Sequence, residues 1–175
     1  FINSLLSFCN LQAVCDIFIY LHFKNLSMDL HNVFLHAHRG FAYLILLIVA
    51  LFIVSLLAVM FGYSGKINKL LRKSTLFTMI FFHTQFLIGL AMLLFASSFM
   101  SIIKANGMGF IMKNADLRFT YIEHPFSMLV AAVLLTIANK KIKQNETMNF
   151  AIVILSAIAL ALFFYAFPFA KLFNT

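Results

Sequence analysis

The chain has 175 residues, 63% hydrophobic and only 10% charged, with a formal net charge of +8. A soluble domain is about 45–50% apolar and about 25% charged, so this composition argues against a soluble enzyme and for an integral membrane protein. The positive charge sits in short loops between apolar runs, with no basic helix or aromatic-interleaved motif, which argues against nucleic acid as a partner.

Residues 1–27 are apolar but are interrupted by Asn10, Gln12 and Asp16. They lack the basic start and small-residue cleavage site of a signal peptide. The expectation is an N-terminal extension ahead of a domain covering 28–175: a weak fifth span, an interfacial helix, or sequence upstream of a true start at Met28. Cys9 and Cys15 form neither CxxC nor CxxCH, so neither covalent haem attachment nor a paired-cysteine zinc site is supported. The stretch HNVFLHAHRGF then gathers His31, His36, His38 and Arg39 just before the first long apolar run. On a helix His36 and His38 differ by about 200°, so they face different neighbours.

Four segments read as membrane spans: 41–63, 76–101, 117–138 and 150–169. Each covers about 30 Å of hydrocarbon at 1.5 Å per residue. The third is expected to begin with Asp116 as its N-cap and to kink at Pro125. The fold class expected is all-α, a transmembrane four-helix bundle of up-down topology. Lys66, Lys69, Arg72 and Lys73 share one side with Lys140, Lys141 and Lys143, offset only by Glu146. The bias of basic loops toward the cytoplasm then places the HAHRG collar and both termini on the outer side of a bacterial inner membrane. Ala157 and Ala161 offer a small-xxx-small face in the fourth span.

Ionisable groups inside spans are costly, so each is a candidate for function. The second span carries His83 in FFHTQ, followed by Gln85 and Gly89, four residues apart on one face. Gln85 points about 200° away from His83. RFTYIEHPF adds Arg118, Glu123 and His124 at the outer part of the third span. Haem b takes one or two imidazoles from helices that clasp the porphyrin, and His38, His83 and His124 come from three different spans. Counted from the inner boundary, His83 is roughly 12 Å up, His124 roughly 21 Å and His38 roughly 35 Å. Two ligands of one iron must sit nearly level. His83 with His124 is the first pair, with His38 the replacement for either.

The pattern resembles a family of small four-span membrane proteins of Bacteroidetes-type bacteria labelled cytochrome B or cytochrome b-like. The family pattern is an H-S-G-L-R-W collar, then F-x-H-x-Q-x-x-x-G, then R-F-x-x-x-E-H and a W-P-F-like end. Here these read HRGFAY, FFHTQFLIG, RFTYIEH and AFPF, in order and from about Met28 to the C-terminus. Ala42 stands where the collar arginine is expected, and Tyr43 replaces the tryptophan. The resemblance implies haem b held between helices, with electron transfer as the role and a larger redox complex or quinone as partner. It gives His38, His83, His124, Gln85, Glu123 and Arg118 as cofactor-binding positions. Glu123 would fix a ring tautomer, and Arg118 would meet a haem propionate.

Two other readings come from different classes. In a scaffold or assembly subunit without cofactor, the histidines and Glu123 only stitch helices together by hydrogen bonds. A copper handler on the outer side would use His31, His36 and His38 with Met28 or Met108. With two prolines and six glycines, the chain gives little sign of the paired broken helices of a transporter.

Overall fold

The computed structural model describes the backbone of residues 2–62 and 65–169, and the side chains of 29, 31–62 and 65–169. The expected extension at 1–27 falls on residues whose side chains lie outside that set. The described regular structure is helical: α1 (Ile2–Met60), α2 (Lys69–Ala91), α3 (Phe99–Asn106), α4 (Met108–Lys113), α5 (Ala115–Arg118), α6 (His124–Gln144) and α7 (Phe150–Ala166). A π-helical turn, Met92–Ala96, prolongs α2, and another, Phe119–Glu123, joins α5 to α6. Three stretches are long and apolar enough to cross a membrane: His31–Met60, Lys69–Ala96 and Ala115–Gln144. The fourth apolar helix, α7, has 17 residues, roughly 26 Å at 1.5 Å each.

Several boundaries differ from the expected ones, each for a local reason. The HAHRG collar is helical, continuous with the first span. The second span ends before Ser97, whose hydroxyl donates to the Leu93 carbonyl at 2.6 Å and accepts from the Phe99 amide at 3.2 Å. A serine that bonds its own backbone in this way competes with helix continuation. The third begins at Asn114 rather than Asp116, because the Asn114 side chain accepts from the Leu117 amide. It continues to Gln144, past the expected 138. Lys141 and Lys143 lie in its last turn, where cations meet the carbonyl end, and Arg72 donates to the Lys143 and Asn145 carbonyls at 3.0 and 2.8 Å. α7 stops at Ala166 because Phe167 precedes Pro168, and a residue before proline is driven out of the helical region.

Among the long helices the extensive backbone packing is α1 on α2, α2 on α6 and α6 on α7. Each pair runs antiparallel, with contacts joining the end of one helix to the start of the next. Ser55 meets Ser74 at 2.7 Å between α1 and α2, and Asn139 donates to Met79 Sδ at 3.5 Å between α6 and α2. His124 reaches Ala166 between α6 and α7. Small side chains let these backbones approach: Ser127, Ala131, Ala132 and Ala138 on α6 are buried, as are Ser156, Ala159 and Ala166 on α7. The expected face of Ala157 and Ala161 instead points outward, as the row of buried small residues is rotated from it. The connections before α2 and after α6 are tied by Ile67 N–H to Glu146 O at 2.7 Å and Met148 N–H to Gly65 O at 2.8 Å. Outward faces carry Leu47, Val54 and Phe95 at 60%, 62% and 79% exposure, a surface suited to hydrocarbon and not to water.

Ala159→Leu, at a fully buried helix contact, should lower the thermal unfolding midpoint in detergent, at a cost of about 1–3 kcal/mol. Ala157→Leu, on the outward face, should change stability by less than about 0.5 kcal/mol. Circular dichroism melts of the two variants side by side check both values.

Candidate functional site

His38, Gly89 and His124 stand roughly 33, 30 and 30 Å above the inner ends of His31–Met60, Lys69–Ala96 and Ala115–Gln144. Three different helices thus deliver them to one level. The His38 and His124 ring centres are 6.2 Å apart, with the rings at 71° to one another. Gly89 supplies the room: a Cβ there would lie 3.1 Å from His38 Cε1 and 3.5 Å from Nδ1. Even a methyl group there would require the His38 ring to give by a few tenths of an ångström.

The polar groups around the two rings are specific. Gln85, one helical turn before Gly89, donates through Nε2 to the His38 carbonyl at 2.9 Å. Its Oε1 and the His38 Nδ1 are buried without hydrogen-bond partners. His124 donates from Nδ1 to the Ala166 carbonyl at 2.7 Å, which leaves Nε2 as the ring nitrogen bearing the lone pair. A cleft opens beside the rings, lined by Ala42, Ile45, Phe86, Met128 and others. Its floor is Phe82 of α2 against Phe163 of α7, ring centres 5.1 Å apart. The cleft is overwhelmingly apolar. It is partly open and holds ≈ 130 Å³, close to the roughly 150 Å³ void that takes one benzene.

The remaining expected site residues lie elsewhere or are engaged. His83 is exposed on the outer face of α2 and donates to the Met79 carbonyl at 2.8 Å, so it does not join His124. The angular separation that turns Gln85 inward turns His83 away. Glu123 accepts from Arg118 Nε at 2.7 Å and from the Tyr165 hydroxyl at 3.0 Å. Arg118 also donates to the Met112 carbonyl at 3.0 Å. The ring contact that orients His124 therefore comes from the Ala166 carbonyl, a backbone group with no residue-type signature. His31 donates to the Ala96 carbonyl at 2.7 Å, and His36 is exposed. Among the described residues no three His, Cys, Asp or Glu side chains gather into a group able to hold a metal ion. Met28 lies outside the residues whose side chains are described.

Two imidazoles beside an apolar cleft are the kind of donors and surround that a haem takes. A ring nitrogen lies about 2 Å from a bound metal, and its ring centre about 1.2 Å farther, so two imidazoles sharing one metal have centres about 6 Å apart. The observed 6.2 Å, with the rings at 71°, is an edge-to-face ring contact whose spacing is also compatible with that span. Ala42 leaves one wall beside His38 small.

No family model, curated protein or solved structure matches this chain.

His124→Ala should weaken the α6–α7 contact and cost about 0.5–2 kcal/mol in detergent unfolding. His83→Leu, which removes only a bond within one helix on the outer face, should leave the midpoint within about 0.5 kcal/mol. Equal losses from the two would contradict the outward placement of His83.

Proposed function

We propose that the chain is an integral membrane cytochrome b-like protein that binds haem b between its helices and carries electrons. The observation that carries this reading is the pair His38 and His124, 6.2 Å apart at the head of an apolar cleft. Haem iron held by these two histidines would supply one-electron redox chemistry.

In this reading the chain's own groups have separate tasks. His38 and His124 would hold the haem iron through their imidazoles. The Ala166 carbonyl holds the His124 ring in one orientation and tautomer, and Gly89 leaves the space that the His38 ring occupies. Gln85 anchors the α1 backbone at His38. The floor of Phe82 and Phe163 excludes water from the inner half, and a dry surround raises the influence of each nearby dipole on the redox potential. Glu123, Arg118 and Tyr165 brace the outer end of α6 against α7.

The wider setting is an up-down bundle of four helices in a bacterial cell membrane. Its basic inner loops face the cytoplasm, with the cleft toward the outer face. The loops between the spans are short, and a quinone or a larger redox complex is the partner in this reading. The family resemblance of HRGFAY, FFHTQFLIG and RFTYIEH supports the same reading.

A scaffold without cofactor is the second reading. It is favoured by His31 and His124 each donating to a carbonyl of another helix, at 2.7 Å in both cases. The two readings part on one spectrum. Protein purified after haem-sufficient expression should give b-type Soret and α bands in a reduced-minus-oxidised difference. His38→Ala and His124→Ala should each abolish the two-imidazole spectrum, while His83→Ala should retain it. A colourless wild-type protein would leave the scaffold.

A further inference from the structure

The cleft has one lining residue with a permanent charge, Arg39. Among the described residues it has no hydrogen-bond or ion-pair partner. That is unusual for a guanidinium beside an apolar cavity, because five donors and a charge are left to water or to a ligand. The other arginine near the outer end, Arg118, is already engaged by Glu123 and by the Met112 carbonyl.

The position of Arg39 on α1 fixes the side of the cleft that it guards. Phe41 stacks on Phe81 of α2, ring centres 5.0 Å apart. Arg39 lies about 200° around the helix from Phe41, away from α2. It shares the cleft lining with Phe167 and Pro168, just beyond α7. Extensive packing joins α1 to α2 but does not join α1 to α7. Arg39 thus stands at the rim where these two helices part, one residue from His38 and with a side chain long enough to reach over the mouth.

We infer that Arg39 is the anion end of the cleft, pairing with a carboxylate on a ligand whose flat apolar body lies beside His38 and His124. The inference rests on the haem reading, in which that carboxylate is a propionate. The guanidinium fork matches a carboxylate through two parallel hydrogen bonds, and pairing at a half-dry rim is stronger than on an open surface. A lipid phosphate could offer the same anionic chemistry, and the test separates the two sources. The sequence pattern alone had pointed to Arg118 for this task.

The test is a cycle of two proteins and two porphyrins in detergent. Wild type and Arg39→Met are titrated with iron protoporphyrin IX and with its dimethyl ester, in which both carboxylates are capped, and the Soret band reports binding. Partition of each porphyrin into micelles cancels between the two proteins. Arg39→Met should weaken binding of the free acid about tenfold. It should leave ester binding within about twofold and the band positions unchanged. Arg39→Lys, which keeps the charge, should retain most of the free-acid affinity. Equal weakening for both porphyrins would mean that Arg39 only packs or reaches for the interface, and would overturn the assignment. No weakening for either would overturn it too, as expected if Arg39 pairs with a lipid phosphate instead. Wild type binding neither porphyrin would instead overturn the haem reading, and this inference with it.

Discussion

The arrangement depends on the tie between the two inner loops. Gly65 and Ile67 exchange backbone hydrogen bonds with Glu146 and Met148, and Arg72 closes the carbonyl end of α6. This tie sets the vertical register of α2 against α6. The Ser55–Ser74 contact then sets α1 against α2. Once the inner ends are level, helix rise does the rest: about 20 residues up each rod, the groups that meet are His38, Gly89 and His124. A site near one face of the bundle is therefore positioned by hydrogen bonds at the other.

The outer half differs from the inner half in how its polar groups are satisfied. At the inner half, serine and threonine hydroxyls bond to carbonyls of their own helices and small residues let the helices close. At the outer half, side chains from one helix reach backbone carbonyls of another: His31 to Ala96, Gln85 to His38, His124 to Ala166. Such bonds hold helices together across wider gaps, so a cleft can persist without leaving the elements unattached. Of the four buried side-chain atoms without a partner among the described residues, His38 Nδ1 and Gln85 Oε1 lie in this half, and Asn139 Oδ1 and Ser156 Oγ lie in the other. They mark where the protein's own groups leave its hydrogen-bonding capacity unfilled.

Much of the helical plan was legible in the residues, because apolar runs of membrane length have few alternatives. The separation of Gln85 from His83 was legible too, since it follows from helix geometry alone. Which of the two faced inward was not, because α2 is apolar on most of its faces and offers no stripe to fix its rotation. The depth of His124 was misjudged for a definite reason. The lysine-rich NKKIKQ looks like a loop, yet α6 continues through it with Arg72 at its end. Those extra turns raise His124 from roughly 21 Å to roughly 30 Å and bring it level with His38. The Ala166 carbonyl and the π-helical turns carry no composition signal, so the partner of His124 emerges only from packing.

The turn Phe119–Glu123 also sets how this site can tolerate change. A π turn holds one residue more than the α turn it replaces, and that residue shifts the phase of everything before it by about 100°. Arg118 and His124 are thus uncoupled in angle though they adjoin in sequence. Loss of a single residue between them would leave the imidazole where it is and swing the guanidinium, with Ala115 and Asp116, to a different side of the bundle. The spacing of RFTYIEH is therefore a gear between the outer connection and the cleft, and its length matters more than the identity of the residues inside it.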